Sequence, residues 1–132
     1  QVGWATPAGV PLQSWPPVDP DAPVPLAGPE RGWVPASHWL PLLTSWLGPL
    51  VVLLTVGERN ARVREHAKES LNFEVTFCLV VLLAAIVALQ LPGTLLWLAP
   101  LWPVWIVTRL WATSRSLVGR PVRYPVSLRI IR

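Results

Sequence analysis

Residues 75–108 read VTFCLVVLLAAIVALQLPGTLLWLAPLWPVWIVT, without a single acidic or basic side chain. As one helix this run would extend roughly 51 Å at about 1.5 Å per residue. A hydrocarbon core is only about 30 Å thick. The centre of the run, Leu91-Pro92-Gly93-Thr94, resolves the mismatch, because Pro-Gly is a turn signal. The stretch therefore predicts a helical hairpin, with spans at about 70–91 and 94–114.

A second uncharged run, Trp33 to Gly57, is long enough for one more transmembrane helix. The expectation places it at about 38–56, kinked at Pro49, stopped by Gly57 and marked by Trp39 at one interface. Between the runs lies ERNARVREHAKE (58–69), the most charged segment of the chain. Its Glu58–Arg62 and Glu65–Lys68 spacings support an interfacial helix. The C-terminal stretch SRSLVGRPVRYPVSLRIIR alternates Arg with apolar residues and suits a membrane surface, with stems in the apolar layer and charges among phosphates.

Residues 1–36 differ in character. They hold nine prolines; the stretch WPPVDPDAPVP (15–25) cannot make a regular helix, and extended or polyproline II chain is predicted. Trp4, Trp15 and Trp33 are candidate anchors on a partner. The expected fold class is thus all-α integral membrane. It has three transmembrane helices, as a helix, a basic cytoplasmic loop and a helical hairpin. The Pro-rich extended segment 1–36 precedes a three-helix domain 37–132 with a basic interfacial tail. Composition agrees: 52% of the 132 residues are hydrophobic and 14% charged, too few to cover a soluble domain of this size, and mean hydropathy is +0.46.

Of the eleven basic residues, four lie in the loop at 57–69, six follow from Arg109 onward, and only Arg31 lies in 1–36. The positive-inside rule puts the loop and the C-terminus in the cytoplasm of a bacterial inner membrane, and three spans put the N-terminus outside. This basic balance is explained by topology and anionic lipid; no nucleic-acid motif accompanies it.

Two charges lie inside the spans. Glu74 and Arg109 fall at equal depth if the hairpin turns near 91–92, so a structural ion pair is expected. In that register Cys78 faces Trp105 and Val81 faces Trp102, small residues receiving large rings in a closely packed pair. Trp102 and Trp105 are expected to contact partner helices or lipid, or a quinone or pigment held by a partner. His38 and His66, near opposite ends of the first span and its loop, are expected about 30 Å apart and unable to share a metal. The single cysteine, Cys78, has no paired ligand or base. No phosphate loop, metal motif or nucleophile–base arrangement is present. No enzyme activity and no cofactor are expected.

The basic loop running into HAKESLNF (66–73), a hairpin, and RYPVSLR (123–129) together resemble a family of small bacterial membrane proteins of unknown function. That family is similar to the Tic-type, twenty-kilodalton component of the chloroplast inner-envelope import translocon. His66, Asn72, Phe73, Tyr124 and Pro125 carry the resemblance, which covers about 36–132. It implies a multi-span helical protein without established enzymatic activity. The leading expectation is a non-catalytic accessory subunit of a larger membrane complex, respiratory or photosynthetic, bound to other membrane subunits and anionic lipid. The alternative is a homo-oligomeric channel or translocation component, with Ser37, Thr44, Ser45 and Thr55 as its polar face.

Overall fold

The computed structural model describes residue 19 and residues 21–132. The proposed anchors Trp4 and Trp15 lie outside the described residues. Every regular element among those described is helical: α1 (Glu30–Trp39), α2 (Pro41–Thr44), α3 (Leu47–Leu54), α4 (Val56–Arg59), α5 (Ala61–Gln90), a 3-10 turn (Pro92–Leu98) and α6 (Leu101–Leu117).

Among the described residues, two helical stretches are long and apolar enough to cross a membrane: Ala61–Gln90, with hydropathy 2.3, and Pro92–Leu117, with hydropathy 1.3. Their side chains are largely exposed; Leu83, Leu89, Leu96, Trp97 and Val107 all face outward. Asn60 starts α5, accepting from the Val63 N–H at 3.0 Å, so the charged segment and the apolar run form one unbroken helix. Pro92 ends it, because a proline cannot continue the backbone ladder.

The structure differs from the expected third span. Residues 30–59 form four short helices, not one long one. Pro41 begins a new helix after Leu40, and Ser45 then adopts φ 54°. This left-handed conformation, unusual for a residue with a Cβ, reverses the chain. Pro49 does not kink anything: it occupies the first turn of α3, where its missing N–H has no intrahelical partner to lose. Gly57 lies inside α4 instead of stopping a span.

The result is a hairpin that returns to its starting level. Val34 of α1 and Val52 of α3 share one core with Val63 and Ala67 at the start of α5. Asn60, at the end of the broken segment, donates to Glu30, at its beginning, at 3.1 Å. The tip, Ser45, reaches Glu74. The segment therefore runs alongside α5 and comes back.

The hairpin also packs against both long helices: α1 contacts α5 and α6 alike. Between residues 70–77 of α5 and 102–109 of α6 the two helices still meet directly through side chains. A second core, Phe73, Trp105, Ala112, Val122 and Tyr124, joins α5, α6 and the tail. Among the described residues Arg109, His38 and Glu74 are the three largest fully buried side chains.

Candidate functional site

Helices α1, α5 and α6 and the C-terminal tail meet in a buried polar network. Arg109 is its centre. The guanidinium donates to the Ser70 hydroxyl at 2.6 Å, the Ser70 carbonyl at 3.2 Å and the Tyr124 hydroxyl at 3.0 Å, and it pairs with the Glu74 carboxylate. The faces of Phe73 and Tyr124 flank the guanidinium at 4.9 and 5.3 Å. A buried charge is tolerated only when paired and hydrogen-bonded. Only Nε of the guanidinium lacks a partner.

Glu74 is bonded on both oxygens. Oε2 also accepts from the Trp105 indole at 3.0 Å, and Oε1 accepts from Ser45 at 2.7 Å. The inverted backbone at Ser45 thus delivers a hydroxyl to the carboxylate. Trp105 faces this network and is buried, which corrects the expectation that it contacts lipid or a partner; Trp102 and Trp33 are exposed. Phe77, not Cys78, fills the space against Trp102 and Trp105, with ring centroids 5.6 Å from each. Cys78 is exposed.

On the other side of Arg109, the Tyr124 hydroxyl lies 2.8 Å from His38 Nδ1, and His38 Nε2 lies 2.8 Å from His66 Nδ1. The two histidines are therefore in contact, not about 30 Å apart. The expectation failed because it treated 38–56 as one straight helix, whereas the hairpin brings α1 back onto α5. Burial, with His66 and Arg109 as neighbours, holds His38 well below the usual histidine range. Burial likewise pushes the Tyr124 phenol up to about 12. Among the described residues no cluster of three or more His, Cys, Asp or Glu side chains could hold a metal.

The tail is strapped to α5 by side chains that replace a missing strand partner. Asn72 donates to the Ile131 carbonyl and accepts from the Ile131 N–H, both at 2.8 Å. Thr76 Oγ1 accepts from Leu128 N–H, and Glu69 accepts from Tyr124 N–H, again at 2.8 Å. Irregular backbone beside an apolar helix needs such partners, because lipid offers none. Phe73 stacks on Tyr124 with centroids 4.2 Å apart. Pro125 is exposed at the bend of the tail. Thus His66, Asn72, Phe73 and Tyr124 all contribute to one junction, and Pro125 shapes the chain beside it.

At the near end, Arg62 donates to Pro25, Val24 and Gly119 carbonyls and pairs with Glu30 at 3.5 Å, instead of pairing with Glu58. Lys68 and Glu65 do pair, at 3.4 Å. Gly119 has φ 76°, and a Cβ there would stand 1.9 Å from the Val24 carbonyl oxygen. Only glycine permits that approach. Hydrogen bonds to Ala27 N–H and the Asn60 amide, with Arg62 nearby, hold the Glu30 carboxyl below its usual range.

Two exposed apolar helices, a polar junction at one end and backbone-strapped segments define a small all-helical protein with two helices able to cross a membrane. The chain belongs to the MamF/MmsF family, the magnetosome magnetite crystal formation protein family, whose model matches residues 29–131. This match corrects the resemblance to a Tic-type import component, which it does not support. A charged helix start that enters an apolar hairpin is expected wherever spans meet a basic interface, so it does not by itself identify a family. No curated protein and no solved structure matches the chain.

Proposed function

We propose that this chain is a non-catalytic structural protein of the magnetosome membrane that supports magnetite crystal formation through contacts with other membrane-associated proteins. One observation carries the reading: the most concentrated chemistry in the chain, Arg109 with Glu74, Ser70 and Tyr124, is enclosed and hydrogen-bonded to itself. A network of that kind fixes the relative positions of helices. The exposed surface of α5 and α6, including Trp97, Trp102 and Trp111, is where partner helices or lipid are met.

The proposed topology is two crossings, with the 30–59 hairpin entering and leaving on one side. The basic loop and tail then lie together with the start of α1, and the positive-inside rule assigns that side to the cytoplasm. The channel alternative is less well supported. Ser37, Thr44 and Thr55 each donate back to their own helix, to Trp33, Leu40 and Val51, and Ser45 is engaged with Glu74. The quinone or pigment contact has no support.

Complementation in a magnetite-forming cell lacking this chain tests the reading. Crystal length, measured by electron microscopy, should recover with Glu74→Gln, His38→Gln or Tyr124→Phe in proportion to the folded protein found in the membrane. A variant present at full abundance and stability that restores nothing would identify a reacting group and overturn a structural role.

A further inference from the structure

Arg109 fixes the direction of every hydrogen bond between it and the surface. A guanidinium only donates, so the Tyr124 oxygen accepts from it and, to satisfy both groups, the phenolic O–H is given to His38 Nδ1. His38 then carries its proton on Nε2 and donates to His66 Nδ1. His66 accordingly carries its proton on Nε2. That atom has no hydrogen-bond partner among the described residues.

His66 lines a cavity of about 620 Å³ between the start of α5 and the tail. Lys68, Arg123, Arg129 and Arg132 also line it, against Glu65 and Glu69. Four cations less two carboxylates leave a net charge of +2 on the lining. The two carboxylates are already engaged, Glu65 by Lys68 and Glu69 by the Tyr124 N–H. Among the described residues, Arg123, Arg129 and Arg132 make no ion pair. The tail that supplies these arginines is held in place by the Asn72 and Thr76 bonds, so the cations are organised around the cavity instead of trailing in solvent.

We propose that this cavity binds a phosphate-bearing anion, with the His66 Nε2–H as an oriented neutral donor and Arg123, Arg129 and Arg132 as its charged partners. Guanidinium groups match phosphate oxygens by paired donation. The cavity sits where the charged part of α5 gives way to the apolar span, at the level of phospholipid head groups. The same chemistry admits free phosphate, and the two sources are separable by experiment.

The full chain in detergent is examined by native mass spectrometry with added phosphatidylglycerol or phosphatidylcholine, and separately with inorganic phosphate. A head-group site retains one phosphatidylglycerol in preference to phosphatidylcholine, and millimolar phosphate does not displace it. A free-phosphate site binds the inorganic ion and releases the lipid. In either arm Arg129→Gln and Arg123→Gln should each weaken binding about tenfold, the size expected for one lost charge-assisted bond. Arg59→Gln, outside the cavity, should leave it unchanged. Long-range nitrogen–proton NMR should show His66 protonated on Nε2, with that resonance shifting on anion addition. Equal losses from Arg59→Gln, equal retention of both lipids without phosphate binding, or a His66 protonated on Nδ1 would each overturn the proposal.

Discussion

Glu74→Gln isolates the largest electrostatic commitment in this fold. The substitution keeps the shape of the side chain and both oxygen-side contacts can be partly rebuilt. The new amide can turn its oxygen toward Arg109 and Trp105 and its nitrogen toward Ser45, whose hydroxyl can rotate to accept. What is lost is the carboxylate paired, among the described residues, with the fully buried Arg109 guanidinium. Breaking a buried pair by removing one partner costs about 3–5 kcal/mol. Arg109 keeps neutral acceptors at Ser70 and Tyr124 and the flanking rings of Phe73 and Tyr124. The expected loss is therefore at the lower end, about 3 kcal/mol. The assay is reversible unfolding in mixed micelles, followed by far-ultraviolet circular dichroism. Adding Arg109→Gln removes the stranded charge, so the double variant should be less destabilised than the sum of its single variants by at least about 2 kcal/mol. A loss under about 1 kcal/mol for Glu74→Gln, or strict additivity in the cycle, would refute the claim that this pair organises the junction.

Other perturbations follow from the same geometry. His38 is buried and held below its ordinary range, so the unfolded chain binds its proton first; stability should be flat above about pH 7.5 and fall as pH drops below about 6.5, by up to roughly 1.4 kcal/mol per unit for one histidine. His38→Gln should reduce that slope by one histidine's share in the same unfolding assay, leaving the share of the buried His66, and an unchanged slope would show that His38 is not a source of it. Gly119→Ala should cost roughly 1–3 kcal/mol and free the segment around Val24, because its Cβ meets the Val24 carbonyl and its φ is positive. Hydrogen exchange at the Val24 amide, now bonded to Gly119 O at 2.9 Å, reads that release directly. Asn72→Leu removes both bonds to Ile131 and should expose the tail, so trypsin should cut after Arg129 several times faster than in the parent chain.

The hairpin was legible because its signals are local: a charge-free run too long for one crossing and a Pro-Gly in its middle. The juxtaposition of Glu74 and Arg109 likewise needs only a register, and the structure brings these two residues together. The 30–59 segment was not legible by the same reasoning. Its composition satisfies the length rule for a span, but the chain reverses at Ser45 through a backbone conformation that no hydropathy pattern records. From that one reversal follow the contact of His38 with His66, the packing of α1 on both α5 and α6, and the delivery of the Ser45 hydroxyl to Glu74. Asn72 and Thr76 were visible as polar residues near the start of an apolar run. Their partner, the backbone of a tail more than fifty residues away, leaves no periodic signal.

The reversal at Ser45 is also the feature on which the topology depends. In a Cys78→Ala background, single cysteines replacing Asp21, Leu43 and Arg132 can be probed in sealed vesicles with a membrane-impermeant thiol reagent. The account predicts that positions 21 and 132 react from the same side and that position 43, beside the hairpin tip, is shielded from both. Labelling of positions 21 and 132 from opposite sides would show that residues 30–59 cross the membrane and would contradict the two-crossing fold.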